Sequence, residues 1–173
     1  MAESNSIIGL TLTGVTVSSP TAANGGCIAM KSTLLTATLT MNTVTITNPA
    51  ASVSGGAILA EGLNVVIQST TTVTLNNAKA NGDKGGAIGL FNTGTSSISF
   101  STLSLVTPGA ATSGGILYSQ GTDVTITISS FNVDTTIATS GNGGGFCLEN
   151  TGTTTISLTS TGSNGVTTYT RAS

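Results

Sequence analysis

Short stretches in which apolar and polar residues alternate follow one another along the chain. Clear examples are LTATL at 35–39, VVIQS at 65–69, VTITI at 124–128 and TTISL at 154–158. Alternation with a period of two is typical of a β-strand that buries one face and exposes the other. The segments between these stretches are rich in Gly, Asn, Pro and Ala, which favour turns. The pattern therefore predicts an all-β chain of short strands.

A pair of adjacent glycines recurs five times and divides the chain into repeats. The pairs are Gly25-Gly26, Gly55-Gly56, Gly85-Gly86, Gly114-Gly115 and Gly144-Gly145, at intervals of 30, 30, 29 and 30 residues. A fixed period of this length indicates one structural unit that stacks on the next. We expect a single domain over residues 1–173. Its predicted parts are a partial first coil at 1–24 and repeats at 25–54, 55–84, 85–113, 114–143 and 144–173.

Each repeat is predicted to contain three short strands. The first follows the glycine pair, as at 57–60, the second is the alternating stretch described above, and the third alternates again, as in TVTLN at 72–76. Equivalent strands that recur about every thirty residues pair with their counterparts in the neighbouring coils, which makes parallel sheets. Connections between parallel strands are strongly biased to the right-handed form. The predicted fold is a right-handed parallel β-helix (β-solenoid) of about six coils.

Stacked repeats place equivalent inward residues in columns. The 29-residue repeat needs a slip of one residue, which we place before Ile98. The predicted second-strand columns are Ala37, Ile67, Ile98, Ile126 and Ile156, and beside them Leu39, Ser69, Phe100, Ile128 and Leu158. The predicted third-strand columns are Val44, Val73, Leu103 and Phe131, and Ile46, Leu75, Leu105 and Val133, with Ile7, Val15 and Val17 of the partial coil in matching places.

The tetrapeptide GGAI at 55–58 and 85–88 resembles the GGA-[ILV] repeat of chlamydial polymorphic membrane proteins and related bacterial and protist surface proteins. The resemblance extends over residues 25–150 through the repeat pattern. It implies a right-handed parallel β-helix, exposure at a surface, and adhesion or self-association. We accordingly expect an extracellular or cell-surface location.

Charge is scarce in this chain, with four basic and six acidic residues and a net charge of -2. Four basic side chains cannot form a patch that neutralises a phosphate backbone, so we expect no nucleic acid partner. No apolar run approaches the roughly 18 residues of a transmembrane helix, so we expect no membrane-spanning segment. The first residues have neither the basic segment nor the apolar core of a signal peptide.

Side chains that carry catalysis or bind metals are sparse and scattered. Histidine is absent, so the many hydroxyl groups have no obvious general base. Asp83, Asp123 and Asp134 fall in different repeats or at different strand positions, where carboxylates are usually solvated. The sequence therefore predicts no enzyme, no catalytic residue, no cofactor and no metal site.

The two cysteines, Cys27 and Cys147, lie four repeats apart. Coils that stack at about 4.8 Å would separate them by about 19 Å, which is too far for a disulfide bond. We expect small apolar side chains that fill space, and the alternative is a bridge between molecules or a reactive thiol.

The strand after each glycine pair is apolar on both faces. A sheet of this kind is normally covered on both sides, and the sequence offers no long segment to cover it. We therefore expect an exposed apolar stripe that serves as an assembly interface, and the alternative is that the Gly-rich corner folds over it. The predicted interface residues, including one near each chain end, are Leu59, Ile116, Tyr118, Phe146, Leu148, Ile7 and Tyr169.

Outward positions of the second and third strands carry mostly hydroxyl groups. Such ranks resemble ice-binding surfaces, and the alternative is that Thr simply suits an exposed strand. The third-strand ranks are Thr43, Thr72, Thr102 and Ser130, and Thr45, Thr74, Ser104 and Asn132; the second strand adds Thr36, Thr38, Thr125, Thr127, Thr155 and Ser157.

Three functions remain open from the sequence. The first is a non-catalytic structural protein that assembles with other copies, head to tail and laterally, into a surface or extracellular fibre. The second is an adhesin-like module that presents Tyr118 and the Thr ranks to a receptor or glycan. The third is an ice-binding protein.

Overall fold

The computed structural model describes residues 2–4, 8–134, 137–138, 140, 145–160 and 166–171. Within these ranges the chain forms β-strands and no helix, as the alternation predicts. Consequently no helix in the described part could span a membrane. The strands are β1 (Ala2–Ser4), β2 (Ile8–Thr13), β3 (Thr16–Ser18), β4 (Thr21–Ala22), β5 (Ile28–Asn42), β6 (Val44–Thr47), β7 (Ala50–Ala51), β8 (Ile58–Asn76), β9 (Lys79–Ala80), β10 (Ile88–Asn92), β11 (Thr95–Val106), β12 (Gly109–Ala110), β13 (Leu117–Gly121), β14 (Asp123–Val133), β15 (Ile137–Ala138), β16 (Phe146–Asn150), β17 (Thr154–Ser160) and β18 (Val166–Arg171).

Parallel pairing between like strands of successive turns builds the molecule. Ile58 pairs with Ile88 and Ile98 pairs with Ile126, so partners lie about one repeat apart in sequence. One sheet contains 13 strands, and the five short strands β4, β7, β9, β12 and β15 form a second sheet, one from each turn. The chain is therefore a parallel β-solenoid of about five turns, which confirms the predicted fold class.

Inward side chains stack as the sequence predicts over most of the solenoid. Ile67, Ile98, Ile126 and Ile156 form one continuous column. The predicted slip is confirmed, because Asn92 pairs with Gly62, 30 residues away, whereas Ser96 pairs with Val65, 31 residues away. The third-strand columns are confirmed by the pairs Val44–Val73, Val73–Leu103, Leu103–Phe131, Val17–Ile46, Ile46–Leu75, Leu75–Leu105 and Leu105–Val133.

The predicted alignment of Ala37 with Ile67 is wrong by two residues. Ala37 pairs with Val65, and Leu39 takes the place opposite Ile67. The cause is a bulge at the preceding corner: three residues, 33–35, separate Ser32 from Thr36, whereas only Leu63 lies between their partners Gly62 and Asn64. The two extra residues shift the register without changing which face is buried.

The last repeat is displaced by one residue from its predicted register. Ile116 N–H donates to Gly145 O at 2.8 Å, and Leu117 pairs with Phe146. The three consecutive glycines at 143–145 allow either register. The observed one directs Phe146 and Leu148 toward the core and Glu149 toward solvent, whereas the predicted one would have turned the Glu149 carboxylate inward at high desolvation cost.

The described residues between 145 and 171 do not form the complete sixth coil that we predicted over 144–173. β16 and β17 stack in parallel, but β18 reverses direction and pairs antiparallel with β17.

The segments predicted as turns before each glycine pair also contain a fourth, two-residue strand. Its alanines Ala51, Ala80 and Ala110 pair from turn to turn in one buried column. Ile7 lies outside the described residues.

Candidate functional surfaces

The outer side of the first strands is buried. Leu59 is 4% exposed, Ile116 3% and Tyr118 0%. Leu59 and Tyr118 belong to an outward column with Gly89 and Cys147, whereas Ile116 packs in the core. The predicted exposed stripe is therefore wrong at these three residues. Tyr118 is consequently not available for presentation to a receptor.

The Gly-rich corner is the element that covers this face, as the alternative interpretation proposed. Gly55, Gly85 and Gly114 have φ values of 66°, 73° and 68°, in the left-handed region that favours glycine. A Cβ on Gly85 would lie 2.9 Å from the Cα of Gly89. The corner backbone thus lies directly against the strand that follows it, and it excludes water from the outward column.

The other predicted interface residues have different surroundings. Phe146 and Leu148 are half-buried and pack against the core, and the Phe146 ring centroid is 6.1 Å from that of Phe131. The backbone of Tyr169 lies in β18, where it pairs with Ile156; its side chain is not among those described. Ile7 is outside the described residues. The assembly role of these four residues stays a prediction.

A polar cluster joins the corner before Gly85 to two later strands. Lys84 Nζ donates to the Tyr118 hydroxyl at 2.9 Å and lies 4.4 Å from the centre of its ring. The Tyr118 hydroxyl donates to Glu149 Oε2, and Lys84 Nζ is 3.4 Å from the same oxygen. Phe91 packs on the Tyr118 ring at a centroid distance of 5.4 Å. The cluster therefore holds the corner over three successive first strands.

The protonation of this cluster follows from its contacts. Burial raises the pKa of Tyr118 to about 12, and the hydrogen bond that its hydroxyl donates to Glu149 acts in the same direction. That same hydrogen bond lowers the pKa of Glu149, and the Lys84 charge lowers it further. The hydrogen bond with Tyr118 raises the pKa of Lys84. At neutral pH the cluster is a cation, a neutral phenol and a carboxylate.

The second and third strands present a surface rich in hydroxyl groups, which we call the hydroxyl face. Its three main columns follow the pairing register and carry no charged side chain in the described part, whereas Asp123, opposite Thr95, takes the outward position beside them on β14. Val66 and Gln68 interrupt the ranks in the third turn. Thr43 departs from the rank, because its backbone is left-handed at φ 54° and its N–H donates to Thr71 Oγ1. The main columns are Thr38, Val66, Ser97, Thr125 and Thr155; Thr11, Thr40, Gln68, Ser99, Thr127 and Ser157; and Thr16, Thr45, Thr74, Ser104 and Asn132.

Three of the four most exposed large apolar side chains in the described part lie at the corner between the first and second strands of two adjacent turns. Leu34 is 62% exposed, Leu35 44% and Leu63 38%, and we call these three residues the leucine corner. Beside it, Lys31 and Glu61 form an ion pair of 3.1 Å. The sequence interpretation missed this surface. The signal was the run TLL at 33–35, which breaks the alternation and forms the bulge.

Two shallow clefts lie along the short strands. One has a volume of about 370 Å³ and is lined by residues including Asn81, Thr107 and Gly109. The other, of about 390 Å³, is lined by residues including Asn48 and Asn77, and both include Lys79. Small side chains leave both clefts open to solvent. Lys79 is the one ionisable group among their described lining residues.

The acidic side chains of the turns bind neighbouring turns. Asp83 accepts a hydrogen bond from the Thr112 hydroxyl at 2.9 Å, and Asp123 accepts one from the backbone N–H of Thr153 at 2.6 Å.

Cys27 and Cys147 are free thiols, and burial raises the pKa of both. Among the described residues, no group of three or more His, Cys, Asp or Glu side chains could hold a metal ion.

Comparisons with protein-family models, curated proteins and solved structures find no match to this chain. The resemblance to the chlamydial surface proteins therefore rests on the GGAI tetrapeptides and their spacing. What that resemblance implies about surface location and adhesion stays a prediction.

Proposed function

We propose that this protein is a non-catalytic structural subunit that associates with other copies of itself in a surface or extracellular assembly. The observation that carries the proposal is the leucine corner. Leu34, Leu35 and Leu63 expose three large apolar side chains at the same corner of two successive turns. Contiguous exposed apolar surface favours contact with another protein, because association removes it from water.

A second copy is the partner that best fits the surroundings of this corner. The net charge of -2 gives little repulsion between copies. Lys31 and Glu61 place opposite charges beside the leucines, so each can pair with its opposite on a copy related by a two-fold axis. The contact joins solenoids side by side, because the corner lies on the flank of the stack.

Sedimentation velocity over a range of concentrations tests this proposal, with electron microscopy for larger assemblies. The wild-type chain is expected to show concentration-dependent association, and the variant Leu34→Ser/Leu63→Ser is expected to sediment as a monomer. Val53→Ser provides the matched control, because Val53 is 45% exposed at a different corner. A wild-type chain that stays monomeric at high concentration, or equal loss of association in the control, contradicts the proposal.

The hydroxyl face favours ice binding as a second candidate function. Hydroxyl groups in register repeat at about 4.8 Å from turn to turn and at about 6.6 Å along each strand. These distances are close to spacings between oxygen atoms in ice. The three main columns of the hydroxyl face carry no charge in the described part. This also fits binding to ice, because a charged side chain would keep its own hydration shell.

Thermal hysteresis and ice recrystallisation assays test the second candidate. Thr127 is exposed in the middle of the face, so Thr127→Lys is expected to abolish any activity of the wild type. Gln120→Lys adds the same charge at an exposed position outside the face and is expected to have no effect. A wild-type chain without hysteresis or inhibition of recrystallisation would exclude ice binding.

A further inference from the structure

Three polar atoms are enclosed near the corner between the first and second strands, in the fourth and fifth turns. Ser96 and Ser119 are 0% exposed and Asn92 is 5% exposed. Ser96 Oγ, Ser119 Oγ and Asn92 Oδ1 have no hydrogen-bond partner in the described part of the protein. Buried polar atoms are almost always hydrogen-bonded, because leaving one unpaired costs free energy. Three such atoms at one corner therefore require a partner.

The pairing register shows which side chains stack above and below the two serines. Ser96 stands in a column between Val65 and Val124. Ser119 stands in a column between Leu90 and Leu148. In both columns the serine side chain is smaller than its two neighbours, so side-chain volume is missing on both sides of the same corner. A small polar side chain between two larger apolar ones in each column favours a small polar ligand at this corner.

Asn92 is held so that its carbonyl oxygen stays at this corner. Its Nδ2 donates to Gly94 O, which orients the amide. A Cβ on Gly121 would overlap Asn92 Oδ1, so the amide fills the space that a side chain at 121 would occupy. Gly121 follows Ser119 by two residues in β13. The Asn92 oxygen thus reaches from the fourth turn toward the fifth.

We propose that this corner binds internal water, with at least one molecule hydrogen-bonded to Ser96 Oγ, Ser119 Oγ and Asn92 Oδ1. Buried waters typically make about three hydrogen bonds to groups that otherwise have no partner. The chemistry selects water over a cation, since the two hydroxyls can donate as well as accept and all three groups are neutral. The nearest carboxylate in the sequence, Asp123, accepts a hydrogen bond from Thr153. The water replaces the missing side-chain atoms and links two turns.

Water relaxation dispersion tests the proposal, because it counts long-lived internal water in solution. The wild type is expected to show a contribution that Ser96→Val/Ser119→Leu loses, since these changes fill the space with the side chains of the same columns. Ser99→Val is the control: Ser99 is exposed on the outer side of the same strand, so this variant keeps the full contribution. A high-resolution crystal structure of the wild type is expected to show density about 2.7–3.2 Å from the three oxygens.

Several results would overturn the internal water. One is an equal dispersion signal in the wild type and the double variant. A second is an empty corner in the wild-type crystal structure, which needs no variant and therefore decides the question even if the double variant fails to fold. A third is density with the short oxygen distances and higher coordination of a metal cation, which would assign the site to an ion.

Discussion

Four residues with a left-handed backbone lie at the same corner of successive turns. Ser19, Asn48, Asn77 and Thr107 have φ values of 52°, 51°, 53° and 43°. Asn77 Nδ2 donates to Asn48 Oδ1 at 2.9 Å, and the Thr107 hydroxyl donates to Asn77 Oδ1. The sequence predicts a turn here from its Asn and Pro residues. It does not show that the side chains form a ladder, because the ladder depends on the stacking of turns.

The variant Thr107→Asn is expected to stabilise the protein by about 1 kcal/mol, because Asn tolerates the left-handed region better than a β-branched residue. Its amide can also extend the ladder above Asn77. Thr107→Val is the control, since it keeps the branched side chain, removes the hydroxyl and is expected to destabilise. Urea unfolding midpoints measure both effects. A destabilised Thr107→Asn variant would show that backbone strain does not limit this corner.

The Tyr118 hydroxyl is expected to titrate far above an ordinary tyrosine. Its pKa is raised from 10.0 to about 12, so the folded state favours the neutral phenol. This preference contributes stability below pH 10, and the contribution is lost as pH rises from 10 toward 12. Ultraviolet titration of Tyr169→Phe isolates the signal, because the chain has two tyrosines. Phenolate formation at pH 10 while the protein remains folded would contradict the described cluster.

At the scale of the elements, the glycine pairs have two separate roles. The first glycine adopts the left-handed backbone at the corner, and the second packs against the next turn. A Cβ on Gly56 would overlap the carbonyl oxygen of Gly86 and lie 2.6 Å from the N atom of Lys79. The recurrence of the pair therefore reflects close backbone contact between turns, which the sequence period alone does not reveal.

Gly56→Ala is expected to destabilise the protein by about 3 kcal/mol, because the added methyl group meets backbone atoms that cannot move independently. Gly9→Ala is the matched control: a Cβ there meets nothing within 4 Å, so the variant is expected to be neutral or slightly stabilising. Thermal and urea unfolding of both variants measure the difference. Equal stabilities would show that the turns can separate at Gly56 at little cost.

At the scale of the whole molecule, stability accumulates from contacts between neighbouring turns. The long strand β8 pairs with β5 and β6 on one edge and with β10 and β11 on the other. In the described part of the chain, β2 pairs with β5 alone and β16 pairs with β13 alone. The protein is thus a stack in which inner strands are held on both sides.

Amide hydrogen exchange is expected to be slowest in β8 and β11 and at least tenfold faster in β2 and β16. An amide in an inner strand exchanges only when two interfaces open, whereas one in β2 or β16 needs fewer contacts to break. Exchange measured residue by residue in the native protein checks the gradient. Uniform protection across all four strands would indicate that the stack opens as one cooperative unit.

The parallel stack could be predicted from the sequence because it follows from alternation and period alone. Ile67, Ile98 and Ile126 align because strands that recur every turn must bury equivalent positions. The burial of the outer face of the first strands could not be predicted in this way. Whether Leu59 and Tyr118 are exposed depends on the path of the corner backbone, which lies outside the alternating pattern.

The sequence by itself determined that this chain is an all-β repeat protein whose like strands pair in parallel from turn to turn. A repeated pattern determines the pairing because every turn presents the same apolar face to the same neighbours. Only the tertiary structure decided the register of the strand that follows Gly145, the reversal of β18 and the covering of Tyr118. It also located the exposed leucines and the enclosed serines. These features depend on how corners and neighbouring turns share space, which no local pattern of residues specifies.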